Sequence, residues 1–341
     1  MVAATDRPVR WGILGAANIA VKKVAPAMQR GARCDVVAIA SRDLGKAQRA
    51  AHELGLQRAY GTYEELLADP DVEAIYNPLP NHLHVPWTIR AAEAGKHVLC
   101  EKPIALSADE ARTLLEVRER TGVRIGEAFM VRNHPQWLAV RDLVKQGRIG
   151  DLRVVAGHFS YFKRDPNDVR SVLEWGGGGL MDVGCYPITM TRWLFGEEPE
   201  SVIGIVDRDP ELRIDRVVSA LMRFPSGGQA TFTCAMQLVH YQRMQLHGTR
   251  GRIEVQIPFN APNDRPCRIF VDDGRELGDR SAEAIDFTVV DQYTLQGDNF
   301  SAAIRGDGDV PVGVEDAVAN MAVIDAVFRS ADSGRWERPA R

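Results

Sequence analysis

The sequence predicts an α/β chain: a doubly wound parallel sheet first, then an α+β domain built on an antiparallel sheet. Three observations carry this. Short apolar runs alternate with helical spacing from Val9 to Ile125, later apolar runs follow one another across turns without helices between them, and 341 residues exceed what one small core organises. The division is expected after Gly126, giving domains 1–126 and 127–341.

Taken in order, 9–15 reads as a buried strand running into a glycine turn, with helix over 16–20 and 22–28. A second strand, 36–40, ends in Ser41-Arg42. Helical spacing covers 54–67, and a short strand, 73–76, opens into Asn77-Pro78-Leu79-Pro80-Asn81-His82-Leu83-His84, whose prolines forbid regular structure. A helix over 85–94 is closed by Gly95. The strand 98–100 then delivers Glu101-Lys102-Pro103, and Pro103 has no backbone donor with which to continue a ladder. Ser107 caps a helix to 121, with Glu110 three residues on, and a strand over 123–125 completes the first domain.

In the second domain a helix over 134–146 stops at Gly147 and 152–162 alternates as a strand. Further strands are expected at 202–206, 217–224, 229–236, 243–246, 252–256 and 287–290, linked by turns such as Pro225-Ser226-Gly227-Gly228. Helices over 295–304 and 315–329 close the chain. Consecutive strands predict an antiparallel sheet, and an uncovered face would be a surface for a homo-oligomer, dimer or tetramer.

Composition excludes several classes. With 45% hydrophobic residues, 26% charged and a net charge of −4, the chain lacks the basic face that nucleic acid or an anionic membrane requires. No apolar run is long enough for a bilayer, and Met1 to Arg10 hold no signal-like apolar core, so a cytoplasmic location is expected. Five scattered cysteines without C-x-x-C read as reduced thiols rather than disulfides or a zinc site. His82 and His84 have no third ligand at metal spacing, so no metal is expected; capping and ordinary hydrogen bonding is the plainer role for both.

The chemistry-bearing positions fall at the carboxyl ends of the expected parallel strands, where open α/β sheets bind ligands. Gly15-x-Ala17-x-x-Ala20 stands where a dinucleotide fingerprint stands, so Gly15, Ala16, Ala17, Asn18 and Ile19 are cofactor candidates, although Ala17 replaces the glycine of closest approach. About twenty residues on, an NAD-selecting chain carries an acid for the ribose hydroxyl. Here Ser41 and Arg42 stand instead, and Arg42 suits the extra phosphate of NADP, with NAD remaining possible. Pro78, Leu79, Asn81, His84, Glu101 and Lys102 complete the cofactor edge. In the second domain, Gly176-Gly177-Gly178-Gly179 leads to Asp182 and Tyr186, four apart and so on one face of a helix. A flexible loop before a merely buried tyrosine is the plainer reading of that stretch. Arg132, His134, Arg170 and Trp175 are substrate candidates, each equally explicable as a surface or packing residue.

Glu101-Lys102-Pro103 and the glycine run leading to Asp182 and Tyr186 together resemble the glucose–fructose oxidoreductase and inositol dehydrogenase family (Gfo/Idh/MocA type). The likeness extends through residues 77–84 and Glu127-Ala128-Phe129-Met130-Val131-Arg132. It implies a Rossmann domain, then a domain with a large, mostly antiparallel open sheet that mediates oligomerisation. It also implies NAD or NADP as cofactor and a Lys-Pro bond that is often cis. Many members carry histidine four residues after the aspartate; Tyr186 resembles the branch of NADP-dependent xylose dehydrogenase and dimeric dihydrodiol dehydrogenase.

Lys102, Asp182 and Tyr186 are therefore the expected catalytic set. Hydride leaves a carbinol carbon only as its hydroxyl proton is removed. A tyrosine with a pKa of about 10 becomes a usable base when an ammonium favours its phenolate. Tyr186 would be that base, Lys102 the ammonium, and Asp182 the group that orients substrate hydroxyls. The readings that follow are a dehydrogenase oxidising an aldose at its anomeric carbon, a ketosugar reductase or dihydrodiol-type dehydrogenase, and a non-catalytic NADP-binding redox sensor. An intact Lys102, Asp182 and Tyr186 set weighs against the last.

Overall fold

The computed structural model describes residues 7–340; residues 1–6, and with them most of the stretch read for a signal, lie outside the described residues, as does Arg341. The chain forms two compact units, one reaching to Asn133 and taking in Asp291–Val318, the other from His134 to Val290 with the chain from Ala319 on. The first unit thus runs past the division expected after Gly126. The cause is local: Ala128 donates to Cys100 O at 2.8 Å, Glu127 donates to Val312 O at 3.0 Å, and Phe129 and Val131 are buried.

The first unit is a six-stranded parallel sheet. Its elements are β1 (Val9–Leu14), α1 (Ala25–Met28), β2 (Cys34–Ala40), α2 (Leu44–Leu54), β3 (Arg58–Tyr60), α3 (Tyr63–Ala68), β4 (Ala74–Asn77), α4 (His84–Glu93), β5 (His97–Cys100), α5 (Ala108–Thr121) and β6 (Ile125–Glu127). The order β3-β2-β1-β4-β5-β6 is the doubly wound arrangement, with its switch point between β1 and β4. Strands β1, β4 and β5 read as nearly unbroken apolar runs because helices cover both faces.

Two details differ from the expectation. Residues 54–67 are not one helix: Gly55, at φ +67°, ends α2, and β3 intervenes before Thr62 caps α3. The helix after the glycine turn contains a π turn over Ala20–Val24. The cap expected at Ser107 is present, its Oγ accepting from Glu110 N at 3.2 Å.

The second unit holds α6 (Pro135–Lys145), β7 (Leu152–Phe162), α7 (Cys185–Phe195), β8 (Ser201–Arg208), β9 (Asp215–Arg223), β10 (Gln229–Ala235), β11 (Gln237–Gly248), β12 (Arg252–Val255), β13 (Cys267–Asp272) and β14 (Glu283–Phe287). Back in the first unit lies α8 (Gln292–Ile304), and α9 (Val314–Ser333) closes the chain. The eight strands run β14-β13-β12-β11-β7-β10-β9-β8, antiparallel except for β7 beside β10. The strand expected at 287–290 lies instead at β14, and β13 was not foreseen: the proline-rich stretch 258–266 before it masks its short alternation. Alternation sets the inner face. Val155, Phe159, Phe232, Met244, Leu246 and Ile253 are buried, while Ile205 and Leu221 on the other face are exposed.

Candidate functional site

In the first unit the sheet brings the expected cofactor residues to one edge. Gly15 follows β1 with φ +96°, and its N–H donates to Ala40 O at 2.9 Å, which sets the glycine turn beside Ser41 and Arg42. A Cβ at Gly15 would come within 2.9 Å of Leu79 Cδ2, so glycine is required there by conformation and by space. Leu79 therefore packs on the turn. Ala16, Ala17 and Ile19 are half-buried and Asn18 is exposed at the helix start. A half-buried turn of small residues opening a helix, whose first N–H groups lack partners within the helix, fits a pyrophosphate.

Ser41 is buried and Arg42 exposed. Burial holds the Tyr63 phenol above its ordinary value, and Arg42, which bonds its hydroxyl, opposes that rise. Burial first, then Arg42, hold the nearby His82 imidazole below its ordinary value.

The Lys102 segment is held from three sides. Glu101 N donates to Asn77 O at 3.0 Å, carrying the β4–β5 pairing to the end of β5. The Glu101 carboxylate accepts from the buried Tyr76 hydroxyl at 2.7 Å and from Lys102 N at 3.2 Å. Burial, followed by the Glu101 charge, pushes the Tyr76 phenol well up, so it stays a donor. The Lys102-Pro103 bond is cis. Beyond it, Glu127 Oε1 accepts from Ile104 N at 2.8 Å. Tyr293 on α8 also feels Glu101 and Lys102: burial, then Glu101, raise its pKa, and Lys102 opposes them.

His84 lies beneath this loop rather than on its exposed side. Its ring nitrogens stand 2.7 Å from Pro103 O and 2.6 Å from Leu79 O, and the side chain is buried. Burial brings its pKa down to about 4, so at neutral pH the ring donates to one of these carbonyls. Pro78 is buried and Asn81 half-buried on the same loop.

In the second unit, Asp182 and Tyr186 belong to one continuous helical segment, a π turn over Leu180–Gly184 running into α7. Asp182 accepts from the Tyr161 hydroxyl at 2.5 Å and from Arg170 Nε at 3.1 Å. Asp182 in turn raises the Arg170 pKa, so that guanidinium stays charged. The Tyr186 ring is buried in an aromatic shell, 5.6 Å from Phe159 and 5.5 Å from Phe259, which themselves stack at 4.8 Å. Asp182, Arg170 and Tyr161 thus come together, with Tyr186 on the same helical segment as Asp182.

Trp175 is exposed on the 3-10 turn before the glycine run. Arg132 pairs with Asp316 at 2.9 Å in the first unit. His134 is buried as the N-cap of α6, its Nδ1 accepting from Gln136 N at 3.2 Å. Tyr161, Tyr76 and Tyr293 escaped the sequence reading. Only Tyr161 left a trace, as an inward position in the alternation of β7.

The fold and the edge define an oxidoreductase with a dinucleotide-binding domain, and comparison with known proteins agrees. The family model for an oxidoreductase with an NAD-binding Rossmann fold matches residues 9–129, and that for the GFO/IDH/MocA C-terminal domain matches 137–254. The chain belongs to the GFO/IDH/MocA oxidoreductase family. It is 48% identical to an uncharacterized oxidoreductase of Rhizobium meliloti, over 96% of this chain and 98% of that one. It is 36% identical to D-xylose 1-dehydrogenase (NADP(+)) 2 of Haloferax volcanii, over 95% and 98%. Among solved structures, a 3-ketoreductase from Actinomadura kijaniata in complex with NADP and TDP-benzene is 30% identical with a TM-score of 0.87, covering 95% of this chain and 98% of that one.

Proposed function

We propose that this enzyme transfers hydride between NADP and a sugar, oxidising an aldose at its anomeric carbon. The observation that carries the reading is the carboxyl edge of the parallel sheet, where the Gly15 turn, Arg42 and Lys102 stand at the ends of β1, β2 and β5. Similarity to an NADP-dependent xylose dehydrogenase and to an NADP-bound ketoreductase supports it.

Gly15, Ala16, Ala17, Asn18 and Ile19 would hold the pyrophosphate, Arg42 the 2′-phosphate, and Leu79 and Lys102 the nicotinamide end. Bound NADP supplies the hydride acceptor. Tyr186 takes the substrate hydroxyl proton as general base, its aromatic shell keeping bulk water from the phenol. Lys102 is assigned the ammonium that would favour the phenolate. Asp182 accepts from Tyr161 and Arg170, and the remaining N–H groups of Arg170 are suited to sugar hydroxyls.

Tyr186→Phe and Lys102→Met are each expected to lower kcat by about 10²- to 10⁴-fold while cofactor affinity persists. The assay follows nicotinamide absorbance with NAD and NADP against aldoses, ketosugars and dihydrodiols. Near-normal turnover in either variant rules out the assigned role, and silence across the panel despite tight cofactor binding favours the redox sensor. A ketosugar reductase is the second reading, favoured by the 0.87 TM-score to the 3-ketoreductase. The uncovered sheet face, with Ile205 76% exposed and Leu221 46%, supports a homo-oligomer built on that face. Five buried free cysteines accord with a cytoplasmic location. Domain roles follow: cofactor in the first, substrate and oligomerisation in the second.

A further inference from the structure

The glycine run of the second unit is shaped by a carboxylate that the mechanism above does not use. Asp215, the first residue of β9, is 1% exposed, and its Oδ2 accepts from Leu180 N at 2.6 Å. Gly179 N and its own backbone N–H also reach that carboxylate. Gly178 has φ +119°, and a Cβ there would come within 1.8 Å of Asp215 Oδ1. Gly177 is equally constrained, since its Cβ would meet Arg170 O at 2.4 Å. The run is therefore pressed onto Asp215 on one side and onto the Arg170 backbone on the other. Leu180, the residue bonded to Asp215, opens the segment that carries Asp182 and Tyr186.

We propose that Asp215 is a positioning residue, whose carboxylate pins the first turn of the segment bearing Asp182 and Tyr186 and so sets where those two side chains stand. This rests on the roles given above to Asp182 and Tyr186. The groups facing Asp215 are few. Arg208 on β8 favours the charged form, and the Cys234 thiol on β10 is buried against it. Burial dominates and pushes the Asp215 pKa up to about 7. With Asp215 still buried, the charged carboxylate is the stronger acceptor for the Leu180 N–H, so local order in the turn rises with pH through this value even as the stability of the whole fold falls.

Hydrogen exchange over residues 176–186, corrected for the intrinsic pH dependence, tests the pinning without any substrate. In the unmodified protein, protection is expected to fall about tenfold as Asp215 becomes protonated, and in Asp215→Asn it is low and independent of pH. With NADP and D-xylose, kcat of the unmodified protein is expected to show a limb near pH 7 that Asp215→Asn lacks, with kcat lowered about tenfold or more. NADPH affinity, read by fluorescence, stays within about twofold. Protection that ignores both pH and the substitution overturns the proposal, as does an unchanged kcat limb in the variant. The unmodified protein supplies the pH arm even if the variant fails to fold. Should no substrate turn over, exchange still decides the pinning, and the proposed reaction alone falls.

Discussion

Asp215 also makes a stability prediction whose sign follows from its environment. Its pKa lies at about 7 in the fold, against an ordinary value of 3.8, and burial is the largest cause. A carboxyl raised in the folded state binds its proton there after the unfolded chain has lost it. Its stabilisation is thus complete below pH 3.8 and is lost as pH rises towards 7. Each pH unit in that window is worth about 1.4 kcal/mol, so the loss totals about 4 kcal/mol. Asp215→Asn removes the titration. Urea unfolding of both proteins, at intervals from about pH 4.5 to about pH 8, cancels every other group in the difference. The unmodified protein should lose stability relative to the variant up to about pH 7 and then hold level. A difference that is flat with pH, or that grows in favour of the unmodified protein, refutes the reasoning that burial outweighs the three amide donors. The same substitution is expected to impair turnover while relieving a buried charge, a combination that a purely structural aspartate would not produce.

The remaining expectations are simpler. Arg42→Ala should raise the KM for NADP by about 10- to 100-fold and leave that for NAD nearly unchanged, since one charge-assisted fork is removed. A clear NAD preference in the unmodified enzyme would sink this assignment. His84→Ala removes the ring N–H from whichever of the buried Leu79 and Pro103 carbonyls it bonds and opens a cavity, which should cost about 2–5 kcal/mol in chemical denaturation. A loss below about 1 kcal/mol would mean that the ring is not the tie between the two loops. Leu221→Lys, on the uncovered sheet face, should shift the proposed homo-oligomer to monomer in sedimentation or light scattering and remove any dependence of the unfolding midpoint on protein concentration.

The first unit was legible because its signals are local. Apolar runs of strand length, a Ser107 cap and glycines after helices fix each βα unit within about fifteen residues, and the parallel order follows from the crossovers. Residues 54–67 misled because Leu56, Ala59, Tyr60, Tyr63 and Leu67 keep three- and four-residue spacing across Gly61, although Ala59 and Tyr60 belong to β3 and Tyr63 and Leu67 to α3. In the second unit the pairing of β7 with β10 is non-local, so alternation revealed the strands but not their neighbours. The site divides the same way. Lys102 announces itself by the proline behind it and Tyr186 by its spacing from Asp182. Tyr161 and Asp215 act on that same segment from strands 21 and 35 residues away along the chain, a separation over which sequence spacing holds no geometric information.

The two aspartates that meet the segment beginning at Leu180 show how environment divides their tasks. Asp182 is half-buried and accepts from Arg170 and the Tyr161 hydroxyl, so its charge is matched by a cation and a phenol. Asp215 is fully buried and has amide N–H groups rather than a cation in contact, so it titrates near neutrality and has no route to a ligand. The four glycines between Trp175 and Leu180 suggested a flexible loop. In the fold Gly177 and Gly178 are instead occupied by the Arg170 carbonyl and the Asp215 carboxylate, at separations no side chain would permit. A run held on both sides is stiff, so the glycines serve close packing rather than mobility. For the tyrosine base proposed above, that packing would place Asp182 and Tyr186 before any substrate arrives, so that little of the barrier is spent on orienting it.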